Sequence, residues 1–254
     1  MKKIVILTNV LLLSACAQLQ QAVEQLPEET FGQLKSIYGS SEITDDRIAE
    51  GLRAALNQGI EKQVSKLAQT NGFLKNELVK IVLPEELQKV DSGLRSIGLS
   101  NLADKGLEVI NRAAEDAVSE STPIFIDAVE NMTFTDAKNI LLGDDDAATQ
   151  YLTGKTNERL YEKFSPIIKN SLGKVGADVV WGNIISRYNS IPFTQQVNSD
   201  LTDYVSQQAL SGVFKMISVE ESNIRNQISF RSTDVLKQVF ALQDRLSTPA
   251  KTSQ

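Results

Sequence analysis

The sequence predicts an all-α fold, a single globular domain of about nine or ten helices. Three observations lead to this prediction. Apolar residues recur at intervals of three and four from residue 44 almost to the end of the chain, as they do on one face of a helix. Alternating apolar and polar runs, which would indicate strands, are nearly absent. With 41% hydrophobic and 23% charged residues, the 254-residue chain has enough apolar material to build a core.

The first predicted helix begins close to residue 44. Thr44 is a suitable N-cap, and Asp45 and Asp46 suit the first turn, where the helix dipole stabilises negative charge. A short apolar run at residues 79–83 is expected to form either a buried strand-like connector or an extended link. Pro84 ends this run and is expected to open the next helix, because proline is tolerated in the first helical turn.

Capping residues and apolar stripes locate the remaining helices. Small residues line one face of the segment 102–117, so this helix is expected to pack closely against its neighbours. Thr122-Pro123, and Thr133 with Asp136, each have the pattern of a cap before a short helix, and residues 144–146 precede another. Together these segments predict an all-α domain over residues 44–246, with further helices at about residues 156–173, 175–189, 199–218 and 231–246.

An export signal precedes this domain. A basic start at Lys2 and Lys3 is followed by ten mostly apolar residues, too few to span a membrane, and then by Leu13-Ser14-Ala15-Cys16. This tetrapeptide resembles the bacterial lipobox, in which the cysteine is diacylated before the chain is cut in front of it. We therefore expect residues 1–15 to be a signal peptide and Cys16 to be the lipidated N-terminus of the mature protein.

Residues 16–43 are predicted to form a lipidated tether that precedes the helical domain. They are rich in Gln and interrupted by Pro27, and as a flexible coil they would span roughly 30 Å. An Asp after the lipidated cysteine usually retains such proteins in the inner membrane. Ala17 occupies that position here, which predicts the periplasmic face of the outer membrane. Residues 247–254 are predicted to be a flexible C-terminal tail.

Net charge and two missing side-chain types exclude several function classes. Without residues 1–15 the chain has 24 basic and 32 acidic groups, a net charge of −8 that disfavours nucleic acid as a partner. The chain has no histidine, and Cys16 is its only cysteine. Ser–His and Cys–His nucleophile pairs are therefore excluded, and zinc, copper and iron sites lose their usual ligands. No cofactor or transition metal is expected, and the composition favours a non-enzymatic function.

Arg112, Glu115 and Asp116 form one candidate site. Helical spacing puts both acids about one turn from the arginine. An intrahelical ion pair at the edge of the core explains the pattern, and a site in which Arg112 binds a ligand carboxylate or phosphate is the alternative. Because Ala113 and Ala114 indicate close packing around this turn, we expect the Arg112–Glu115 pair to be buried.

Glu221 and Arg225 form a second candidate pair, spaced i, i+4 in the favourable order. A lone catalytic acid at Glu220 or Glu221 invites comparison with lytic transglycosylases, but the chain has only one Trp and five Tyr to bind sugars. The acids of residues 144–146 lack the alternating spacing of a calcium-binding EF-hand loop, and the helix dipole explains them more simply. No metal site is predicted.

Short motifs spread over residues 44–242 match, in order, those of a known family. They are Arg47–Gly59, Asn71–Phe73, Lys80–Glu85, Asn111–Glu115, Met132-Thr133 with Asp136-Ala137, Ile140–Gly143, Ala147–Tyr151, Asp203–Val205, and Glu220-Glu221 with Ile224-Arg225. On these motifs the chain resembles the uncharacterised proteobacterial lipoprotein family catalogued as domain of unknown function 4197. Ser211 departs from the family pattern, in which an Asp tends to stand. The resemblance implies an exported helical domain and no established reaction.

Three functions stay open at this level. The preferred interpretation is an exported lipoprotein whose non-catalytic helical domain binds an envelope protein or a small ligand, with the membrane as a partner through the N-terminal lipid. The first alternative is a hydrolase or lyase that acts on cell-wall or lipid substrates through carboxylates. The second is a carrier of apolar ligands, which would need a large apolar tunnel.

Overall fold

Helices make up the secondary structure of the protein. A computed structural model describes residues 45–84, 88, 91–92, 95–98, 100–193 and 196–247. Within those ranges it contains eight α-helices, one short 3-10 helix at Ile228–Phe230 and no strand, which confirms the all-α prediction at slightly fewer helices than expected. The α-helices are α1 (Asp45–Ala68), α2 (Ser100–Val118), α3 (Thr122–Glu130), α4 (Phe134–Leu142), α5 (Ala147–Gly173), α6 (Ala177–Asn189), α7 (Leu201–Asn226) and α8 (Asp234–Ser247).

The two longest of the described helices, α5 and α7, pack along each other at the centre of the domain. Helix α2 packs on both of them, and α1 joins α7 to α2, α3, α4 and α8. The main contacts of helix α6 are with α5 and α7. The core contains Phe73, Phe125 and Phe164, all fully buried, and the ring of Phe125 meets that of Phe214 edge to face at a centroid distance of 5.9 Å. Aromatic pairs favour this arrangement because of the ring quadrupole.

Helix α5 is one continuous element where the sequence predicted two. It runs without a break from Ala147 to Gly173 and contains Pro166 in its interior. Proline leaves the carbonyl four residues earlier, that of Glu162, without a helical partner. Both residues are exposed, so water can satisfy this carbonyl and the helix continues.

Helix α7 is longer than the predicted segment 199–218 because it continues to Asn226. Its last two turns carry Glu220, Glu221 and Arg225. Charged residues such as these usually lie at the protein surface or at a helix end. All three are buried, and other helices supply their partners. The sequence pattern could not reveal those partners. Helices α6 and α8 begin two and three residues later than predicted.

The apolar run at residues 79–83 forms neither helix nor strand: Val79 ends a turn, and residues 80–83 are an irregular link. Val79 and Ile81 are buried, and the side-chain amide of Asn111 on α2 is fully buried beside them. Asn111 Oδ1 accepts the N–H of Ile81 and Asn111 Nδ2 donates to its carbonyl, both at 2.8 Å. One side chain thus replaces the partner strand that this backbone would otherwise need.

Two predicted caps fall within the described part of the chain. Thr133 caps α4 in a capping box: its hydroxyl accepts the N–H of Asp136, whose carboxylate accepts the N–H of Thr133. This prediction is confirmed. The cap of α3 is Ser121 rather than Thr122, and its hydroxyl donates back to the Val118 carbonyl instead of capping the helix.

Several predictions fall on residues outside the described part. These are the signal peptide, Cys16 and the tether, the cap at Thr44, most of the helix predicted to open at Pro84, and the tail after residue 247. Among the helices that are described, none combines the length and the apolar character needed to cross a membrane.

Candidate functional site

Glu115 is the centre of the first candidate site, and it holds the loop that follows α1. The side chain is only 4% exposed. Its Oε1 accepts the backbone N–H groups of Phe73 and Leu74 at 3.1 and 3.3 Å, and its Oε2 accepts that of Asn71 at 3.2 Å. Arg112 Nη1 donates to Oε2 at 2.7 Å. A carboxylate with four donors is a strong structural clamp, because each donor would otherwise be left partly desolvated.

Arg112 and Asp116 differ from Glu115 in their exposure. The Arg112 side chain is 33% exposed, and it also donates to Asn71 Oδ1 at 3.2 Å. The expected ion pair is therefore present, but only its acid is buried. Asp116 is exposed and accepts the hydroxyl of Ser171 at 2.8 Å, apart from the Glu115 carboxylate. The structure thus joins two of the three predicted residues and separates the third.

The turn that Glu115 clamps is conformationally demanding. Asn71 has φ of 71°, in the left-handed region that Asn tolerates better than most residues. At Gly72 a Cβ atom would lie 2.2 Å from the carbonyl oxygen of Leu67, so no larger residue fits there without moving the chain. The Gly72 N–H donates to the Gln69 carbonyl, and Glu115 on α2 is the acceptor for the N–H groups of Asn71, Phe73 and Leu74.

Glu221 is the centre of the second candidate site, and both of its oxygens are occupied. Oε1 accepts the N–H of Ala148 at 2.8 Å and Arg225 Nη2 at 2.7 Å, while Oε2 accepts the N–H and the hydroxyl of Thr149, each at 2.8 Å. These amides are at the N-terminus of α5. Glu221 on α7 is therefore the acid that caps α5, whereas the side chain of Asp146, at the N-cap position itself, makes no capping bond.

Arg225 extends the Glu221 centre towards α4 and α8. Its guanidinium is buried, donates to the carbonyl of Ile140 at 2.7 Å, and lies 5.7 Å from the ring centroid of Phe240. The Ile140 carbonyl is at the C-terminal end of α4, where the helix dipole favours a cation. Glu221 and Arg225 are thus in contact, and together they link α4, α5 and α7.

Glu220 points the other way, towards α1. It is buried and accepts hydrogen bonds from Lys62 Nζ and, at 2.7 Å, from Gln63 Nε2. A narrow apolar cavity of about 30 Å³ lies between Glu220, Arg225, Leu52 and Phe240. That volume accommodates little more than a water molecule, so a sugar ring or an acyl chain does not fit.

An ion pair that the sequence did not suggest, between the buried Arg231 and the exposed Asp244, lies beside this centre. Arg231 is buried, donates to the carbonyls of Ile224 and Arg225, and donates to both carboxylate oxygens of Asp244. These hydrogen bonds hold the pKa of Asp244 below its ordinary value. No signal in the sequence could identify the pair, because the two residues are thirteen positions apart across the turn before α8.

An open polar cleft lies next to the clamped turn. Its volume is about 400 Å³, and its walls include Lys66, Thr70, Asn71, Lys75 and Glu77. The exposed residues among them present two cations, an acid and several hydrogen-bonding groups to solvent. Among the described residues no group of three or more acids, cysteines and histidines is arranged to hold a metal ion, and Asp145 and Asp146 instead accept side-chain amides of Asn226 and Gln150.

Six of the nine motifs of the family resemblance meet in space at the two centres. Asn71–Phe73, the described part of the Lys80–Glu85 motif (residues 80–84) and Asn111–Glu115 come together around Glu115 and Asn111. Ile140–Gly143, Ala147–Tyr151 and the 220–225 motif come together around Glu221. The motifs thus mark buried polar contacts that hold the helices in register.

Comparison with known proteins identifies one family. No curated protein and no solved structure matches the chain significantly. The profile of a family described as "Protein of unknown function (DUF4197)" matches residues 42–241, well over half of the chain, and spans both buried centres and the open cleft. This all-α chain therefore belongs to the DUF4197 family.

Proposed function

We propose that the protein is a lipid-anchored, non-catalytic component of the cell envelope that binds an envelope protein or a small polar ligand at the cleft beside Asn71–Leu78. The observation that supports this most directly is the Glu115 clamp. A buried carboxylate is used to hold a surface turn in a strained conformation, directly beside an open polar cleft. Rigidly supported loops of this kind are where proteins commonly place binding residues.

The carboxylates of Glu220 and Glu221 already accept hydrogen bonds from other protein groups, which favours a binding function over a carboxylate-dependent hydrolase or lyase. A general acid or nucleophile has to reach a substrate atom. Both oxygens of Glu221 are taken by α5 amides, Thr149 and Arg225, and those of Glu220 by Lys62 and Gln63. The adjoining cavity of about 30 Å³ also gives little support to an apolar-ligand carrier, which needs several hundred Å³.

The anchor rests on the lipobox at Leu13–Cys16, with Ala17 favouring the outer membrane. Cys16→Ser should abolish acylation and the cut in front of residue 16, because the chain has no other thiol. Metabolic labelling of cells with a fatty-acid analogue measures this directly. Label that persists on the Cys16→Ser chain would contradict the lipoprotein assignment.

Site-specific photocrosslinking in cells tests the cleft. A photoreactive residue replacing Lys75, in the cleft wall, should capture a specific species, identified by mass spectrometry as a protein or a small adduct. The same residue replacing the exposed Lys237 on α8 serves as the control. The Lys75 adduct should also decrease when Thr70→Arg narrows the cleft. Identical products at both positions, or an adduct unaffected by Thr70→Arg, would show that the cleft is not the binding site.

A further inference from the structure

Helix α6 carries an exposed apolar surface on the side that faces away from the domain. Val179 and Val180 are 64% and 60% exposed, and Ile184 is also exposed. Their helical positions fall on one side of α6, with the exposed Asn183 between them. Ile191, just beyond the helix, is exposed as well. We call the surface of Val179, Val180, Asn183 and Ile184 the α6 apolar face.

The opposite side of α6 is firmly packed. Trp181 and Ile185 are buried, and the indole of Trp181 stacks on the ring of Tyr204 at a centroid distance of 5.7 Å. Its Nε1 also donates to the Asn198 carbonyl at 3.3 Å. The α6 apolar face is therefore held outward by a structured core contact. Exposed aliphatic side chains concentrated on one such helix indicate an interaction surface.

The charges around this helix differ in sign from those of the whole chain. Between residues 164 and 199 the only charged residues are Lys169, Lys174, Asp178 and Arg187, a net charge of +2 in a chain of net −6. The three cations are exposed. An apolar helix face with basic flanks complements a bilayer, where the side chains enter the headgroup region and the cations approach anionic lipids.

The segment just after α6 carries another exposed apolar side chain. Phe193 is completely exposed and has φ of 66°, a backbone conformation that costs free energy for a bulky residue. A fully solvated phenyl ring in a strained conformation is unfavourable in water alone. Insertion of the ring into a headgroup layer would recover the hydrophobic part of this cost.

The length of the chain before α1 is compatible with a bilayer as the occupant of this face. The 28 residues from Cys16 to residue 43 reach at most about 100 Å when extended, enough for any face of the domain to contact the membrane that holds the lipid. A tethered surface also meets its bilayer at a high effective concentration. We propose that the α6 apolar face docks on the membrane to which Cys16 is anchored, an inference that rests on the proposed lipid anchor.

A single-cysteine fluorescence experiment on the full lipoprotein tests this docking. Because Cys16 is the only native cysteine and is acylated in the proposed anchor, Asn183→Cys introduces a unique thiol within the α6 apolar face. A dye attached there, with the protein in phosphatidylethanolamine–phosphatidylglycerol vesicles that contain a brominated lipid, should be quenched at least about threefold more than a dye at Lys237→Cys on α8. Val180→Asn with Ile184→Asn, added to Asn183→Cys, should remove this excess quenching.

Matched controls make each outcome decisive. Ile97→Asn with Ile228→Asn removes two exposed apolar residues elsewhere and should leave the quenching at position 183 unchanged. Equal quenching at positions 183 and 237, or quenching that survives Val180→Asn with Ile184→Asn, would overturn the docking proposal. So would a photoreactive residue at position 184 that crosslinks a protein while the dye stays unquenched. A failed anchor gives a different result, because an unacylated Cys16 would itself react with the dye in the native sequence.

Discussion

At the scale of single residues, the buried carboxylates of Glu115 and Glu221 accept hydrogen bonds mainly from backbone amides. Glu115 accepts three N–H groups of the turn after α1, and Glu221 accepts two at the start of α5. Each also contacts an arginine one turn away on its own helix. A buried amide without an acceptor costs about 1–3 kcal/mol, so each of these two acids contributes strongly to the stability of the fold.

The Glu115 clamp predicts an asymmetry between the two members of its ion pair. Glu115→Ala should lower the free energy of unfolding by about 3 kcal/mol, because three amides lose their acceptor. Arg112→Ala should cost only about 1 kcal/mol, since Arg112 is partly exposed and the carboxylate keeps its amide donors. Urea unfolding of both single variants and the double variant measures this, with the exposed Glu158→Ala as control.

The sequence predicted that both side chains of the pair are buried, in which case Arg112→Ala would lower the free energy of unfolding by about 3 kcal/mol. The partial exposure of Arg112 reduces this expected loss. An Arg112→Ala loss as large as that of Glu115→Ala would show that the arginine, rather than the amides, satisfies the carboxylate. If the double variant loses as much as the sum of the singles, the two side chains are not coupled.

Asp244 predicts a pH dependence of stability. Arg231 holds the pKa of the Asp244 carboxyl below its ordinary value of 3.8. A lowered pKa in the folded state stabilises the protein above the unfolded value, and this stabilisation is lost as the pH falls through the folded value. Asp244→Asn should therefore cost about 1 kcal/mol at neutral pH, a modest figure because the Asp244 side chain is 45% exposed.

The difference between Asp244→Asn and the native chain should stay constant down to about pH 4 and shrink below it. Thermal melts at a series of pH values follow this difference, with the exposed Asp144→Asn as a matched control. A difference that is the same at all pH values would mean that Asp244 acts through packing rather than through its charge.

At the scale of helices, α7 depends on a glycine where it passes the turn after α1. A Cβ at Gly212 would lie 2.6 Å from Cε1 of Phe73 and 3.3 Å from Cβ of Val79. Gly212→Ala should therefore destabilise the protein by about 1–3 kcal/mol, since a close-packed core does not absorb an added methyl group freely. Gly154→Ala on α5 meets no atom within 4 Å and should stabilise by up to about 1 kcal/mol. Calorimetry on both variants distinguishes them, and a stable Gly212→Ala protein would contradict the close approach of α7 to Phe73.

The cap of α5 is supplied by a different helix, so its loss should disturb two elements at once. Glu221→Ala removes the acceptor of the Ala148 and Thr149 amides and leaves Arg225 buried without its carboxylate. We expect a loss of about 3–5 kcal/mol, against almost none for the exposed Glu162→Ala. Hydrogen exchange should become faster at the N-terminus of α5 as well as near Arg225. Faster exchange confined to α7 would show that Glu221 does not cap α5.

At the scale of the whole molecule, the composition limits the chemistry available to the protein. With no histidine, and with Cys16 as its one cysteine and proposed to be acylated, the purified protein should contain no stoichiometric zinc, copper or iron. Elemental analysis of the protein after removal of loosely bound metal measures this. One equivalent of any of these metals would require a site made of carboxylates alone.

Much of the fold could be predicted because local pattern and capping act within a few residues. The apolar periodicity identified the helical class, and Thr133 with Asp136 marked the start of α4, because a capping box involves only four consecutive positions. The candidate pairs Arg112–Glu115 and Glu221–Arg225 were visible for the same reason, since each lies within one helical turn.

The roles of those pairs depended on residues far away in the chain. Thr149 is 72 positions from Glu221, and Phe73 is 42 positions from Glu115, so no local pattern connects them. The same holds for Lys62 and Glu220. Burial of charged residues also contradicts the usual pattern of a solvated helix end, which is why α7 was predicted to end too early.

The sequence by itself determined the helical class, the resemblance of Leu13–Cys16 to a lipobox and the absence of imidazole chemistry, because each depends on residue type or on spacing within a few turns. Only the tertiary structure decided that Glu115 and Glu221 clamp backbone amides, that Asn111 substitutes for a strand, and that one side of α6 stays exposed. These features arise where segments distant in the chain meet, and the free energy of a buried charge is set by the partners it finds there.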